Sequence, residues 1–172
     1  MKKLAVFLLC GMLAASLAAC GTENGGASQT NAGSLVVSDS TQIPNPWTEC
    51  STLDEAMEKA GFSIDVPEQQ DGYTTRNVSV IPGELISITD TGTDTQEMCF
   101  RKGVGTEDVS GDYNVYEKTE TVKVGASTVT FKGNGGLVNL AVWTDGADSY
   151  SIMVREQGIP QEQMQELVAA LS

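Results

Sequence analysis

The stretch LVNLAVWT at residues 137–144, followed by DG at 145–146 and ADSYSIMV at 147–154, decides the fold of this chain. Its first segment is nearly all apolar, which is typical of a strand in the middle of a sheet. The Asp-Gly pair is a two-residue turn signal, and after it the apolar residues Tyr150, Ile152 and Val154 recur at every second position. The stretch therefore predicts a β-hairpin near the centre of a sheet.

Similar short β-rich runs extend upstream as far as Tyr73, separated by Gly, Asp and Asn. This spacing predicts an antiparallel meander of about six to eight strands in a single sheet. Within residues 96–102, Met98 and Phe100 share one face and Cys99 lies on the other, because side chains alternate along a strand. The upstream runs are Tyr73–Ile81, Glu84–Thr89, Gln96–Lys102, Asp112–Val124 as one bent strand or two short ones, and Ser127–Lys132.

Two helices are predicted, one near each end of the domain. Thr52-Leu53-Asp54-Glu55 is a capping box that begins a short helix, Gly61 suits the left-handed residue that ends it, and a short strand is predicted at Phe62–Val66. Pro160 suits the first turn of the second helix. The apolar residues that recur at helical spacing in this helix are Met164, Leu167, Val168 and Leu171. The fold class is α+β, a single antiparallel sheet with a short N-terminal helix and a C-terminal amphipathic helix packed on it.

The N-terminus carries the features of a bacterial lipoprotein signal peptide. Lys2 and Lys3 form a positive n-region, an apolar segment follows, and Leu17-Ala18-Ala19-Cys20 matches a lipobox, in which the cysteine thiol is alkylated by a diacylglyceryl group. The apolar segment 4–19 is shorter than the about 20 residues of a transmembrane helix. An ordinary cleaved secretory signal is the remaining alternative.

Cleavage before Cys20 divides the chain into three parts. Residues 1–19 are the lipoprotein signal peptide, residues 20–45 are a lipidated flexible tether rich in Gly, Ser, Thr and Asn, and residues 46–172 are a single domain. We therefore expect an extracytoplasmic protein whose membrane contact is the lipid on Cys20. Its location would be the outer face of the plasma membrane of a Gram-positive bacterium.

The composition is strongly acidic and contains no histidine. Removing Lys2 and Lys3 from the 10 basic residues leaves 8 against 23 acidic ones, a formal charge of −15 for the mature chain. Such a surface repels nucleic acid, so no nucleic-acid partner is expected. Without histidine the chain lacks the usual general base at neutral pH, the commonest zinc ligand and every Ser-His or Cys-His nucleophile pair. No catalytic residue and no cofactor is predicted.

Two cysteines remain in the mature domain once Cys10 leaves with the signal peptide and Cys20 carries lipid. These are Cys50 and Cys99, and two thiols outside the cytoplasm predict a disulfide between them. The alternative is that each is buried separately and packs as a small apolar residue.

Two acidic turns and one aromatic pair are the candidate sites in the β-rich region. The turns Asp90–Asp94 and Asp145–Asp148 lack the full calcium-loop pattern with its terminal glutamate, so no metal site is predicted. Trp143 and Tyr150 flank the second turn and are candidate ligand-facing aromatics. Core or cross-strand packing is the alternative explanation of this pair.

Two classes of function fit these residues. The favoured one is a non-catalytic cell-surface module that binds an envelope protein or a small apolar ligand, held between the sheet and the closing helix near Trp143 and Tyr150. The alternative is an extracytoplasmic hydrolase that works through carboxylates. Because the chain has no nucleophile motif and no histidine, most hydrolase mechanisms are disfavoured.

A longer pattern of strand, turn and helix segments is spread over the whole domain. Its segments are Leu53–Ala56, Gly61-Phe62, Val66-Pro67, Leu140–Gly146, Tyr150–Ile152, Ile159–Met164 and Leu167–Ser172. In them the chain resembles an uncharacterised family of bacterial extracytoplasmic domains, found in Gram-positive lipoproteins and at the outer ends of membrane proteins similar to anti-sigma factors. The resemblance implies a fold class and a location, and it implies no activity and no catalytic residue.

Overall fold

Eight strands and two helices make up the part of the chain that the computed structural model describes, residues 44–171. The strands are β1 Thr48–Cys50, β2 Tyr73–Ile81, β3 Leu85–Gly92, β4 Glu97–Val104, β5 Lys118–Val124, β6 Ser127–Gly133, β7 Leu140–Asp145 and β8 Asp148–Val154. The helices are α1 Leu53–Ala60 and α2 Gln161–Ala170. All eight strands form one antiparallel sheet, so the predicted α+β class is confirmed.

The strand order is β1-β2-β3-β4-β8-β7-β6-β5, in which two four-stranded meanders meet where β4 pairs with β8. Every residue of β8 after Asp148 is buried, which agrees with its central place. Residues 105–117 carry the chain from the end of β4 at the centre to β5 at the far edge, and we call them the crossover. The two outer strands are β1, which has three residues, and β5, which carries Lys118, Glu120 and Lys123. Short or charged edges discourage pairing with other chains.

One face of the sheet carries both helices and the main core. Ile88, Phe100 and Ile152 lie side by side in register across β3, β4 and β8, and none of the three is exposed. Ala141 continues this row on β7. The helices cover the row with Ala56, Ala60, Met164, Leu167, Val168 and Leu171, as the helical spacing predicted for the second one. Alternate residues of each strand point to the other face.

The crossover covers part of that opposite face. Arg101 on β4 donates from Nη1 to the carbonyl oxygens of Val109 at 3.1 Å and Ser110 at 2.7 Å, and its guanidinium lies 5.5 Å from the Trp47 ring centroid. A small apolar cluster of Cys99, Leu140 and Met153, with Tyr116, lies under the crossover. Arg101 therefore helps to hold the crossover against the sheet, together with the Ser149 hydroxyl, which donates to the carbonyl oxygen of Gly105 at 2.7 Å.

The predicted start and end of the first helix are confirmed. The Thr52 hydroxyl accepts from the amide of Glu55 at 3.2 Å, and Gly61 ends the helix with φ +78. The second half of the capping box differs from the prediction, because Glu55 Oε2 accepts from the amide of Ser51 at 2.8 Å rather than from Thr52. The predicted strand at Phe62–Val66 is wrong: these residues run without strand pairing beneath the sheet's helix-bearing face, where Ile64 is buried.

The cysteines occupy positions that a disulfide cannot join. Cys50 on β1 pairs in register with Val78 on the helix-bearing side, whereas Cys99 on β4 belongs to the cluster on the opposite face. β2 and β3 lie between them, so three strand spacings of about 4.8 Å separate the two backbones. A disulfide needs Cα atoms within about 7 Å. Both thiols are free in this fold, so the predicted Cys50–Cys99 disulfide is absent from it.

Among residues 44–171, no helix has the length and apolar character needed to cross a bilayer. The predicted signal peptide, lipid-bearing Cys20 and most of the tether lie outside the described residues.

Candidate functional site

Trp143 and Tyr150 lie opposite each other on β7 and β8 and are packed together. Their rings are nearly parallel at 7° with centroids 5.3 Å apart, and the two residues are 7% and 6% exposed. Lys102, next to Tyr150 on β4, places its ammonium 5.2 Å from the Tyr150 ring and 3.5 Å from a carboxylate oxygen of Asp148. The pair therefore closes the core as a cross-strand contact. We call this end of the helix-bearing face the aromatic end.

A small cleft at the aromatic end is the space that an apolar ligand between sheet and helix would use. It measures about 240 Å³ and touches Trp143, Tyr150, Val168 in the last turn of α2, and Leu171 just after that helix. Small-molecule sites usually enclose about 300–1,000 Å³. The cleft is thus below the usual size for a ligand site.

The opposite end of the same face carries a larger cleft. Three loops and the first turn of α2 surround about 430 Å³, at the end where β2 and β4 begin and β3 and β8 finish. We call it the polar cleft. Its lining residues are Gln70, Asp71, Tyr73, Thr93, Asp94, Thr95, Gln96, Met98, Val154, Arg155, Glu156, Gln157, Gly158, Ile159 and Gln163. Carboxylates, carboxamides and hydroxyls dominate this lining.

The backbone around the polar cleft is strained. Within residues 44–171 the non-glycine residues with positive φ are Asp94 at 59°, Thr95 at 82° and Glu156 at 66°, and all three line this cleft. A β-branched residue such as Thr95 is rarely found there. Such strain costs about 1–3 kcal/mol per residue and concentrates at functional sites, where the surrounding structure maintains it.

Several polar side chains of the cleft have no protein partner. Asp71, Asp94, Glu156, Gln157 and Gln163 make no hydrogen bond or ion pair with any residue of the described range 44–171. They come from four separate segments of the chain and face one cavity. Their hydrogen-bonding capacity is therefore free for water or for a ligand.

A partly buried ion pair lies beside the polar cleft, where Asp90 pairs in register with the cleft-lining Met98. Arg76 donates to both carboxylate oxygens of Asp90 at 2.7 Å, and its third contact is the carbonyl oxygen of Pro67 at 2.9 Å. Asp90 is not exposed at all, and its hydrogen bond raises the pKa of Arg76. Burial, helped by the nearby Asp90 charge, raises the pKa of the Tyr73 hydroxyl on the cleft floor. These contacts hold the loop before β2 as one wall of the cleft.

Ion pairs engage one carboxylate of each of the two acidic turns. Asp90 binds Arg76, and Asp148 lies 3.5 Å from Lys102 Nζ. In the part of the chain that the structure describes, no three His, Cys, Asp or Glu side chains converge in a way that would hold a metal ion.

A second cleft lies on the other side of the strand end Val154–Glu156. It measures about 600 Å³ and is lined by the crossover at Gly111–Tyr116, by Asn134 and Asn139, and by Met153–Glu156. We call it the crossover cleft. It shares Val154, Arg155 and Glu156 with the polar cleft, so the two lie on either side of one short ridge. Both belong to what we call the cleft end of the sheet.

A carboxylate orders the loop beside the crossover cleft. Asp112 accepts hydrogen bonds from the backbone and side chain of Asn114 at 3.2 and 2.6 Å and from the Tyr116 hydroxyl at 2.6 Å. Burial, together with the bond and charge of Asp112, raises the pKa of Tyr116 to about 12. Between these anchors Tyr113 and Val115 are each 95% exposed. An ordered loop therefore presents an aromatic ring and an aliphatic side chain to solvent.

The sequence pointed to the aromatic end, and at the cleft end it singled out only the acidic turn Asp90–Asp94. Trp143 and Tyr150 are brought together, but in the core, and Cys50 and Cys99 are kept apart. The residues of the polar cleft come from segments near positions 71, 94, 156 and 163, which only the strand order brings together. The available signal was the Asp94-Thr95 turn, where glycine or asparagine would be expected instead of threonine.

Comparison of the chain with protein-family models, curated proteins and solved structures gives no match. The residues and their geometry alone therefore indicate what the clefts can do.

Proposed function

We propose that this protein is a lipid-anchored, non-catalytic binding module on the outer face of the plasma membrane of a Gram-positive bacterium, and that its ligand site is the cleft end. The observation that carries the proposal is the polar cleft, where strained Asp94, Thr95 and Glu156 surround side chains without protein partners. Among residues 44–171, all the non-glycine residues with positive φ line this cavity. Backbone strain that is concentrated in this way is typical of a functional site.

Membrane anchoring is proposed from the lipobox that ends at Cys20. Residues 20–45 would let the acidic domain stand away from the anionic membrane surface, which repels it. The same location is what the resemblance to extracytoplasmic lipoprotein domains implies, and membership of that family is part of the proposal.

Binding is favoured over the alternative, a carboxylate-dependent hydrolase, by the exposure of the candidate acids. Asp71, Asp94 and Glu156 line one cleft, which is the arrangement that such a hydrolase would need. A general acid must stay protonated at neutral pH, and proteins achieve this by placing it in an apolar environment. All three residues are exposed instead. Because the sequence contains no histidine, it offers no imidazole base and no Ser-His or Cys-His nucleophile pair.

The anchoring is tested with two cysteine variants expressed in a Gram-positive host. Cys20→Ala should abolish incorporation of labelled lipid and leave an unprocessed precursor, while Cys10→Ala, a matched change in the apolar segment, should leave both unchanged. If Cys20→Ala were lipid-labelled as strongly as the wild type, the anchoring proposal would be wrong.

The binding function is tested on the full-length protein in detergent. Amide NMR signals are followed while solubilised glycan, peptide and lipid fractions of the cell envelope are added in turn. A bound fraction should shift signals of residues 93–96 and 155–158, and that fraction should be recovered chemically unchanged. Recovery of cleaved material, lost in an Asp94→Asn variant, would instead support the hydrolase; no shift with any fraction would contradict binding at this site.

A further inference from the structure

We propose that the polar cleft and the crossover cleft together bind a neutral oligosaccharide chain. This inference rests on the proposed binding function and adds the chemical class of the ligand. It comes from the hydrogen-bonding groups, the charge and the shape of the cleft end.

The free hydrogen-bonding groups match hydroxyls. Gln157 and Gln163 each offer two donors and a carbonyl acceptor, and Asp71, Asp94 and Glu156 offer acceptors only. A sugar hydroxyl both donates and accepts, so a run of hydroxyls along one ligand can use both kinds of group. An apolar ligand would leave these polar groups without partners and would lose affinity.

The charge distribution disfavours anionic ligands. Among residues 44–171, Arg155 is the only basic residue that lines either cleft, and its Nε donates to Glu97 at 2.8 Å. A phosphate or carboxylate would therefore meet several acidic side chains and only one cation, Arg155, which is already paired with Glu97. A neutral ligand avoids this repulsion.

The shape favours a chain over a single small molecule. The clefts lie on the two sides of the ridge Val154–Glu156, with volumes of about 430 and 600 Å³. One ligand that contacts both must cross the ridge, as successive sugar units of a chain would. Beside the second cleft the Tyr113 ring is 95% exposed, and the apolar face of a sugar ring packs well on an aromatic face. The Asp112 contacts keep the loop that carries this ring in place before binding, which lowers the entropy cost.

The test is isothermal titration calorimetry of the full-length protein in detergent. The probes are three neutral hexasaccharides, built from β-1,4-linked glucose, α-1,4-linked glucose and β-1,4-linked N-acetylglucosamine. At least one should bind, and its affinity should be insensitive to salt because no net charge is paired. Gln163→Ala and Tyr113→Ala should each weaken it by about tenfold, the effect of one lost hydrogen bond or ring contact.

Matched controls are provided by similar residues outside the clefts. Gln165→Ala lies on the same helix as Gln163, and Val104→Ala removes an exposed apolar side chain at the aromatic end, so both should leave the affinity unchanged. If none of the hexasaccharides binds but an envelope peptide shifts residues 93–96 and 155–158, the ligand class is wrong and the binding site stands. If no probe of any class shifts those residues, the proposed function fails as well.

Discussion

The two ends of the helix-bearing face are filled in opposite ways. At the aromatic end, Trp143 and Tyr150 stack, Lys102 packs beside them, and about 240 Å³ remains open. At the cleft end no large ring pair closes the space, and strained loops surround about 430 Å³ with polar side chains such as Asp94. In this fold the aromatic pair thus completes the core, and polar groups without partners indicate the surface that is free for a ligand.

The largest expected effect is a loss of stability at the aromatic end. Trp143→Ala removes a buried ring from the stack with Tyr150 and should lower the free energy of unfolding by about 4 kcal/mol. Urea denaturation of the full-length protein measures this. Trp143→Phe keeps most of the packing and should cost less, without changing any affinity measured at the cleft end. A variant that lost ligand binding but not stability would show that Trp143 belongs to the site.

The next largest loss of stability is expected at the Arg76–Asp90 ion pair beside the polar cleft. Arg76→Met leaves the fully buried Asp90 carboxylate without its partner and should lower the free energy of unfolding by about 3 kcal/mol. Arg155→Met is the matched control, because its pair with Glu97 is exposed and should change stability by less than about 0.5 kcal/mol. Equal effects of the two variants in urea denaturation would contradict the role given to Arg76.

A smaller effect of opposite sign is expected in the strained turn. Thr95→Gly replaces a β-branched residue at φ 82° by one that adopts this conformation freely, and should stabilise the protein by about 1 kcal/mol. Thr93→Gly, in the same turn but without positive φ, should instead destabilise it slightly. Thermal unfolding of the two variants separates these outcomes, and destabilisation by Thr95→Gly would mean that the turn is not strained.

The smallest effect is a pH dependence at the crossover cleft. The pKa of Tyr116 is raised from 10 to about 12, so the neutral hydroxyl stabilises the folded state below pH 10 and this contribution is lost as the pH rises to about 12. Absorbance titration should show a tyrosine step near pH 12 that is absent in Tyr116→Phe, whereas the step of Tyr73, whose pKa is also raised, should remain in both proteins. In Asp112→Asn, which removes the neighbouring charge, Tyr116 should ionise earlier. A step near pH 12 of unchanged size in Tyr116→Phe would assign it to another tyrosine.

Much of the fold could be predicted because the sheet has one core face and one more polar face. Alternation along a strand then identifies the strands, as for β2, whose predicted limits Tyr73 and Ile81 are those observed. The capping box and Gly61 located the first helix for a local reason of the same kind. β1 was missed because three residues are too few for a periodic pattern.

The strand order and the site could not be predicted from the same local patterns. Periodicity does not say that β4 pairs with β8 and not with β5, and this pairing decides which loops meet at the cleft end. The segment 112–117 was expected to be strand, yet it belongs to the crossover, where Asp112 binds its own loop. Cys50 and Cys99 were predicted to pair because they are the two thiols left in the mature domain, and nothing local shows that they lie on different faces.

The central claim is that ligand binds at the cleft end and not at the aromatic end. Hydrogen–deuterium exchange of the full-length protein in detergent, with and without a saturating neutral hexasaccharide, compares both ends in one measurement. We predict slower exchange at residues 93–96 and 155–158 and no change at residues 143–150. Slower exchange at residues 143–150 with none at the cleft end would contradict the claim.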